Sequence, residues 1–179
     1  MKSCIIIFIS ALFFNAACAQ TEITPELIQK LKKDIELQVP ALKKKLEKQK
    51  TGDVEIEFIV DTFRIEKLME KCVALNYADF SMRDAGYKAA EGYDSLLNKY
   101  YKKLMAVLKG DDKKVLQQAQ KNWLAFRDSE TNLVETISKD EYSGGGTMQQ
   151  LSEASMYLDL IKSRVFALFS HYTRAAQIY

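Results

Sequence analysis

Apolar residues recur three or four positions apart along nearly the whole chain, the spacing of amphipathic helices rather than strands. Thr24-Pro25-Glu26 supplies a hydroxyl N-cap and then proline at the first helical position. Leu27, Leu31 and Ile35, with Leu37 at the edge, share the face that follows. Pro40 breaks or kinks this helix, which resumes from Ala41 to Gln49 as a lysine-rich piece. Thr51-Gly52-Asp53 ends that piece and caps the next. Val54, Ile56 and Phe58 alternate as in a strand, but Ile59, Phe63 and Leu68 continue at helical spacing. The longer window therefore predicts a helix from Asp53 to about Leu75, with Cys72 near its end.

The longest signal runs from about Phe80 to Leu108, where Met82, Ala85, Ala89, Tyr93, Leu96, Leu97, Tyr100, Leu104 and Val107 form one stripe. Gly86 and Gly92 weaken this helix locally and permit close helix contact. Lys109-Gly110-Asp111 closes it and opens the next, which extends to about Ser138 with Leu116, Ala119, Trp123, Phe126, Leu133 and Ile137 as its apolar face. Lys139 to Gly146 reads as a loop, and Thr147 caps a last helix to about Tyr172 that buries Leu151, Leu158, Ile161, Val165 and Leu168. The pattern predicts an all-α helical bundle of about five helices with a long antiparallel helical hairpin, formed by the two helices that flank Gly110.

The N-terminus adds a location. Met1-Lys2-Ser3 is positive, Ile5 to Phe14 is almost wholly apolar, and small residues follow at Ala16, Ala17 and Ala19. This is the pattern of a secretory signal peptide cleaved between Ala19 and Gln20, giving residues 1–19 as the signal and an exported, periplasmic or extracellular product. Ala16-Ala17-Cys18 offers a competing lipoprotein reading with a lipid anchor at Cys18, although Asn15 stands where that signal has a bulky apolar residue. No other segment is apolar enough to span a membrane. The whole chain carries 26 basic and 24 acidic side chains, so it lacks the basic excess expected of a nucleic-acid binder. Of three cysteines, simple cleavage leaves Cys72 alone, which excludes a disulfide framework and reads as a small core residue.

Catalytic chemistry is sparse. His171 is the only histidine, so the common zinc sites cannot form, and no catalytic, cofactor-binding or metal-binding residues are assigned. Lys43, Lys44 and Lys45 read as a solvated helix face beside Glu36 and Glu47, and the carboxylates from Asp53 to Glu70 as the outer face of a helix. Ser143-Gly144-Gly145-Gly146-Thr147 lacks the lysine of a phosphate-binding loop and reads as a tight turn ending in a cap, with an anion site as the alternative. Gln120, Trp123 and Arg127 share one side of their helix. Across a short antiparallel turn, equal heights fall at residue numbers summing to about 220. Arg127 is then expected to pair with a half-buried Asp94, and Asn98 to bond near Trp123 or Gln120. The alternative is a surface Trp-Arg recognition patch.

These residues carry a resemblance. Asp94-Ser95-Leu96-Leu97-Asn98 and Gln120-Lys121-Asn122-Trp123-Leu124-Ala125-Phe126-Arg127-Asp128 resemble the lysozyme-inhibitor LprI-type family, the second stretch matching its signature Q-x-x-W-x-x-F-R-D. Gly145, Gly146 and Arg164 fit the glycine turn and the arginine that follow in the family. The resemblance covers roughly residues 70 to 172, giving an N-terminal helical extension over 20–70 and an LprI-like helical domain over 71–179. It implies a small exported helical protein, with Asp94, Asn98, Gln120, Trp123, Phe126, Arg127, Asp128, Gly145, Gly146 and Arg164 as signature residues of structural character. Family members usually carry paired cysteines; by this resemblance their positions hold Ala85, Thr131 and Met156, and Cys72 has lost its partner. The implied function is non-catalytic: binding and blocking lysozyme or a related glycan hydrolase, with the Lys139 to Thr147 loop as the exposed element. The alternative is a helical module for another envelope protein or peptide, and a hydrolase comes third.

Overall fold

The computed structural model describes residues 21–176; the expected signal peptide, its cleavage point and Cys18 lie outside them. Seven helices and no strand occur among the described residues. They are α1 (Pro25–Glu36), α2 (Val39–Lys48), α3 (Asp53–Leu75), α4 (Asp79–Val107), α5 (Asp112–Ile137), α6 (Asp140–Ser143) and α7 (Met148–Ala176). The chain is cut more finely than five segments for two local reasons. Pro40 lies in the first turn of α2 and separates it from α1, and the single turn α6 interrupts the expected Lys139 to Gly146 loop. Thr24 caps α1 as its sequence predicts, its Oγ1 accepting from the Leu27 N–H at 3.3 Å.

Side-chain partners set the helix directions. Asp61 meets Lys99 and Glu57 meets Lys103, so residue numbers rise along α3 as they fall along α4, and the two are antiparallel. Along α4 and α7 the numbers rise together. Thr147 Oγ1 donates to Asp79 Oδ2 at 2.5 Å, Arg83 donates to Gln150 at 2.7 Å, and Tyr100 stands edge-on to Phe169 with centroids 5.2 Å apart. α4 and α7 are therefore parallel, and theirs is the most extensive helix contact among the described residues.

This revises one expectation. α5 returns antiparallel after the short turn at Gly110, but it seats mainly on α7 rather than along α4. α7 brings Leu158, Ile161, Val165 and Leu168 to the core without a polar interruption, whereas the inner stripe of α5 includes Gln120 and Arg127. The α4 stripe buries most area against α7 and α3, because burial is roughly proportional to apolar surface.

The core follows from this arrangement. Phe58 of α3 stacks on Phe169 at 3.9 Å between centroids and joins Tyr93, Tyr100, Leu104, Ile161, Val165 and Leu168 in the main cluster. Gly92 permits the approach of α3, since a Cβ there would lie 3.0 Å from Ile65 Cγ1. α1 and α2 pack on α3. Val39 and Leu46 meet Ile56 and Val60, while Leu31 closes over Cys72 and Ala85. Cys72 is thus a buried free thiol whose hydrophobic contacts stand where the resemblance implies a covalent link.

Two faces differ from their sequence reading. Leu37 is exposed, because α1 ends at Glu36 and the chain turns there. On α5, Phe126, Leu133 and Ile137 are 52, 53 and 49% exposed, while Gln120 and Val134 point inward instead. α5 has one principal neighbour, so it buries a narrow stripe, and the two polar members of that stripe rotate the contact away from the most apolar direction.

Candidate functional site

Four of the signature residues, Gln120, Trp123, Arg127 and Arg164, meet at the seam between α5 and α7. Gln120 is buried, and its Oε1 accepts from Arg164 Nε at 3.0 Å. Trp123, one turn further along α5, lies between two guanidinium groups: Arg127 stands 5.7 Å from its ring and Arg164 5.8 Å. Both distances are within cation–π range. Burial pushes the Arg164 guanidinium below its ordinary value, but an arginine remains charged at neutral pH. No carboxylate pairs with Arg164 among the described residues, so a neutral amide and an aromatic face are what receive the charge.

The expected Arg127–Asp94 ion pair is absent. Arg127 instead donates from Nε and Nη2 to its neighbour Asp128, at 2.9 and 2.5 Å. Asp94 accepts from Asn98 through its backbone carbonyl at 3.0 Å and through Oδ2 at 3.1 Å. Asn98 therefore bonds within α4 and reaches neither Trp123 nor Gln120. The physical reason is the seating of α5: Trp123 draws Arg127 toward the α7 seam, leaving the polar side of α4 to satisfy itself. Phe126 faces solvent and takes no part in this cluster.

Gly145 and Gly146 are needed for backbone geometry. Gly144, Gly145 and Gly146 have φ of 77°, 79° and 100°, conformations that side chains disfavour. A Cβ on Gly145 would also lie 2.8 Å from Asp140 Oδ1. Ser143 Oγ donates to the carbonyls of Ser138 and Lys139 and accepts from the Gly145 N–H at 3.1 Å. The loop is thereby a tied turn, and Thr147 anchors it to the start of α4 through Asp79.

A second polar seam was not legible as such. The carboxylates of α3, expected to be a plain outer face, reach across to α4 and α7. Lys99 bridges Glu57 and Asp61, Lys103 pairs with Glu57, and Lys162 pairs with Glu66. Tyr93 donates its hydroxyl to Glu66 Oε1 at 2.5 Å. Burial works against the ionised forms of Glu57 and Glu66, but these lysine and tyrosine partners hold both below the usual carboxylate range. The spacing of Glu57 with Asp61 and of Lys99 with Lys103 is the signal that could have found the pairing, once α3 and α4 were taken as a hairpin.

His171 and Cys72 lie at opposite ends of the bundle. The register of α7 on α4 sets His171 near the end of α4, whereas Cys72 packs on Ala85 near its start. That is roughly 25 Å apart along a helix of 1.5 Å rise per residue. They cannot act as a nucleophile and base pair, which requires hydrogen-bond reach. No helix among the described residues is long and apolar enough to cross a membrane.

No curated protein and no solved structure matches the chain. Residues 72–168 match the family described as lysozyme inhibitor LprI. That span takes in the last turn of α3 from Cys72, all of α4 to α6, and α7 through Leu168, so it includes the whole Gln120–Trp123–Arg164 cluster. The chain belongs to the LprI lysozyme-inhibitor family.

Proposed function

We propose that the protein is an exported, non-catalytic binding protein that blocks a lysozyme or a related glycan hydrolase. Beyond family membership, the distribution of charge supports this reading. Residues 124 to 160 hold seven carboxylates against two cations, Arg127 and Lys139. Residues 25 to 50 hold eight lysines against four carboxylates. Because α1 and α2 pack on α3 while α5 packs on α7, these segments occupy different flanks. Near-neutral total charge therefore conceals an acidic flank, which suits the basic surface common among lysozymes and speeds encounter with it. The test is a turbidity assay in which purified protein is titrated into lysozyme and bacterial cell walls. Slower lysis that saturates near equal stoichiometry is expected; unchanged lysis at large excess removes the reading.

One observation favours a second reading, an envelope protein- or peptide-binding module without inhibitory activity. A cleft of ≈ 520 Å³ runs between α1, α3 and α4, with Ile35, Ile65, Leu68, Met69 and Ala89 among its lining residues. An apolar groove between helices is the form such a module takes. Ser95→Phe, at an exposed position lining this cleft, is expected to weaken peptide capture and leave lysozyme inhibition unchanged.

A further inference from the structure

The outer side of α5 carries an apolar ridge that the fold does not use. Phe126, Glu130, Leu133 and Ile137 follow one another at helical spacings of four, three and four, so they form one row. Its three apolar members are each about half exposed. Val115, three turns earlier on the same side of α5, is also exposed. The helix is held on α7 by a different stripe, through Leu116, Gln120, Trp123 and Val134. Burying this ridge is therefore not what keeps α5 in place, and a contiguous exposed apolar row marks an interaction surface.

Beside the ridge lies a cleft of ≈ 270 Å³ between α5 and α7, lined by Glu130, Val134, Met156, Asp159, Leu160 and Ser163. Val134, Met156 and Leu160 give this lining apolar surface, and Glu130 and Asp159 give it two carboxylates. Neither Glu130 nor Asp159 has a hydrogen bond or ion pair among the described residues. Lysine and arginine side chains combine an aliphatic stem with a charged head, so they match this cleft in both parts. The surrounding excess of carboxylates disfavours an acidic partner by like-charge repulsion.

We propose that this α5/α7 face is the docking surface for a basic protein. A lysine or arginine of the partner would enter the Glu130–Asp159 cleft over Val134, Met156 and Leu160, while Phe126, Leu133 and Ile137 cover apolar surface beside it. This rests on the inhibitor reading for the identity of the partner, but it replaces the glycine-rich loop with the helical face as the element that docks. The tied turn at Ser143 and the anchor at Thr147 fit that choice, since they hold the loop against the bundle.

The experiment measures binding of a basic lysozyme to immobilised full-length mature protein at low and moderate salt. It compares wild type with E130K/D159K, with L133S and with the control K43E/K44E on α2. Thermal unfolding of each variant confirms that these exposed substitutions leave the fold intact. Weakening of about tenfold in E130K/D159K and in L133S, with the control unchanged, is expected for charged and apolar contacts at one interface. Equal binding by all variants overturns the proposal and leaves the inhibitor reading standing. If wild type does not bind lysozyme, the inhibitor reading falls, and an arginine-rich helical peptide then probes the face by amide chemical-shift mapping. Shifts concentrated at 126–137 and 156–163 support the proposal; shifts elsewhere, or none, overturn it. A concentration-dependent dimer abolished by L133S would assign the ridge to a second copy of this chain and overturn it likewise.

Discussion

Arg164 of α7 donates from Nε to Gln120 Oε1 of α5 across 3.0 Å, a hydrogen bond between a half-buried charge and a buried amide. It ties the peripheral helix α5 to α7. Gln120→Leu keeps the volume but leaves the guanidinium without this acceptor, at a cost of about 1–3 kcal/mol. Gln120→Glu supplies a charged acceptor and is expected to recover most of that loss. Urea denaturation followed by circular dichroism measures both, and equal stability of wild type and Gln120→Leu would show that the bond contributes nothing.

Tyr100 and Tyr93 predict opposite outcomes for the same chemical change. The Tyr100 hydroxyl is buried without a hydrogen-bond partner among the described residues, whereas that of Tyr93 donates to Glu66. Removing an unsatisfied buried hydroxyl relieves a desolvation penalty, so Tyr100→Phe should stabilise the fold by about 1 kcal/mol. Tyr93→Phe should destabilise it by about as much, since a satisfied bond to a carboxylate is lost. Opposite shifts in the denaturant midpoint are the expected signature, and a loss of stability in Tyr100→Phe contradicts it.

The α3 carboxylates give the fold a dependence on acid. Glu57 and Glu66 have folded-state pKa values held down by Lys99, Lys103, Lys162 and Tyr93 against the opposing effect of burial. A depressed carboxylate contributes stability above its unfolded value, about 4.3 for glutamate, and that contribution is lost as pH falls through the folded value. The melting temperature should hold across neutral pH and decline below about pH 4.3. Glu57→Gln with Glu66→Gln should lower stability at neutral pH and flatten the decline. A decline of the same steepness in the double variant would assign the acid sensitivity elsewhere.

Cys72 and Ala85 occupy one buried cluster at opposing positions in the α3/α4 hairpin. Ala85→Cys is expected to form a disulfide with Cys72 under oxidising conditions, closing a short loop and stabilising by about 3 kcal/mol. In the wild-type chain, burial raises the Cys72 thiol above its ordinary pKa and should make it slow to react with thiol reagents until the protein unfolds. Two free thiols counted in the oxidised, folded variant would contradict the pairing.

Much of the helical organisation was readable because it depends on local chemistry. α3 begins and ends where the spacing of Asp53 to Leu75 places it, and α4 buries Ala85, Ala89, Tyr93, Leu96, Leu97, Tyr100 and Leu104 as its stripe requires. Thr24, Pro25, Pro40 and Gly110 act within a turn of themselves, so no distant contact is needed to interpret them. α5 shows where this stops. Its apolar residues spread around more than one side, and the choice between Phe126 and Val134 as the inward position belongs to α7, not to α5.

The sequence by itself determined an all-helical chain, the extents of α3, α4 and α5 to within a residue or so, the family carried by Gln120, Trp123, Phe126, Arg127 and Asp128, and the nearly balanced total charge. Only the tertiary structure decided that α7 runs parallel to α4, that Arg164 rather than Asp94 is the interhelical partner of the Trp123 cluster, and that Glu130 and Asp159 share a cleft. Helix periodicity is a property of neighbouring residues, so one strand of text records it. Which stripes meet depends on how much apolar area each pairing removes from water, a comparison among all the helices at once. Charge behaves the same way: its sum is additive along the chain, but its separation into a lysine-rich and an acidic flank exists only after packing sends α2 and α5 to different sides.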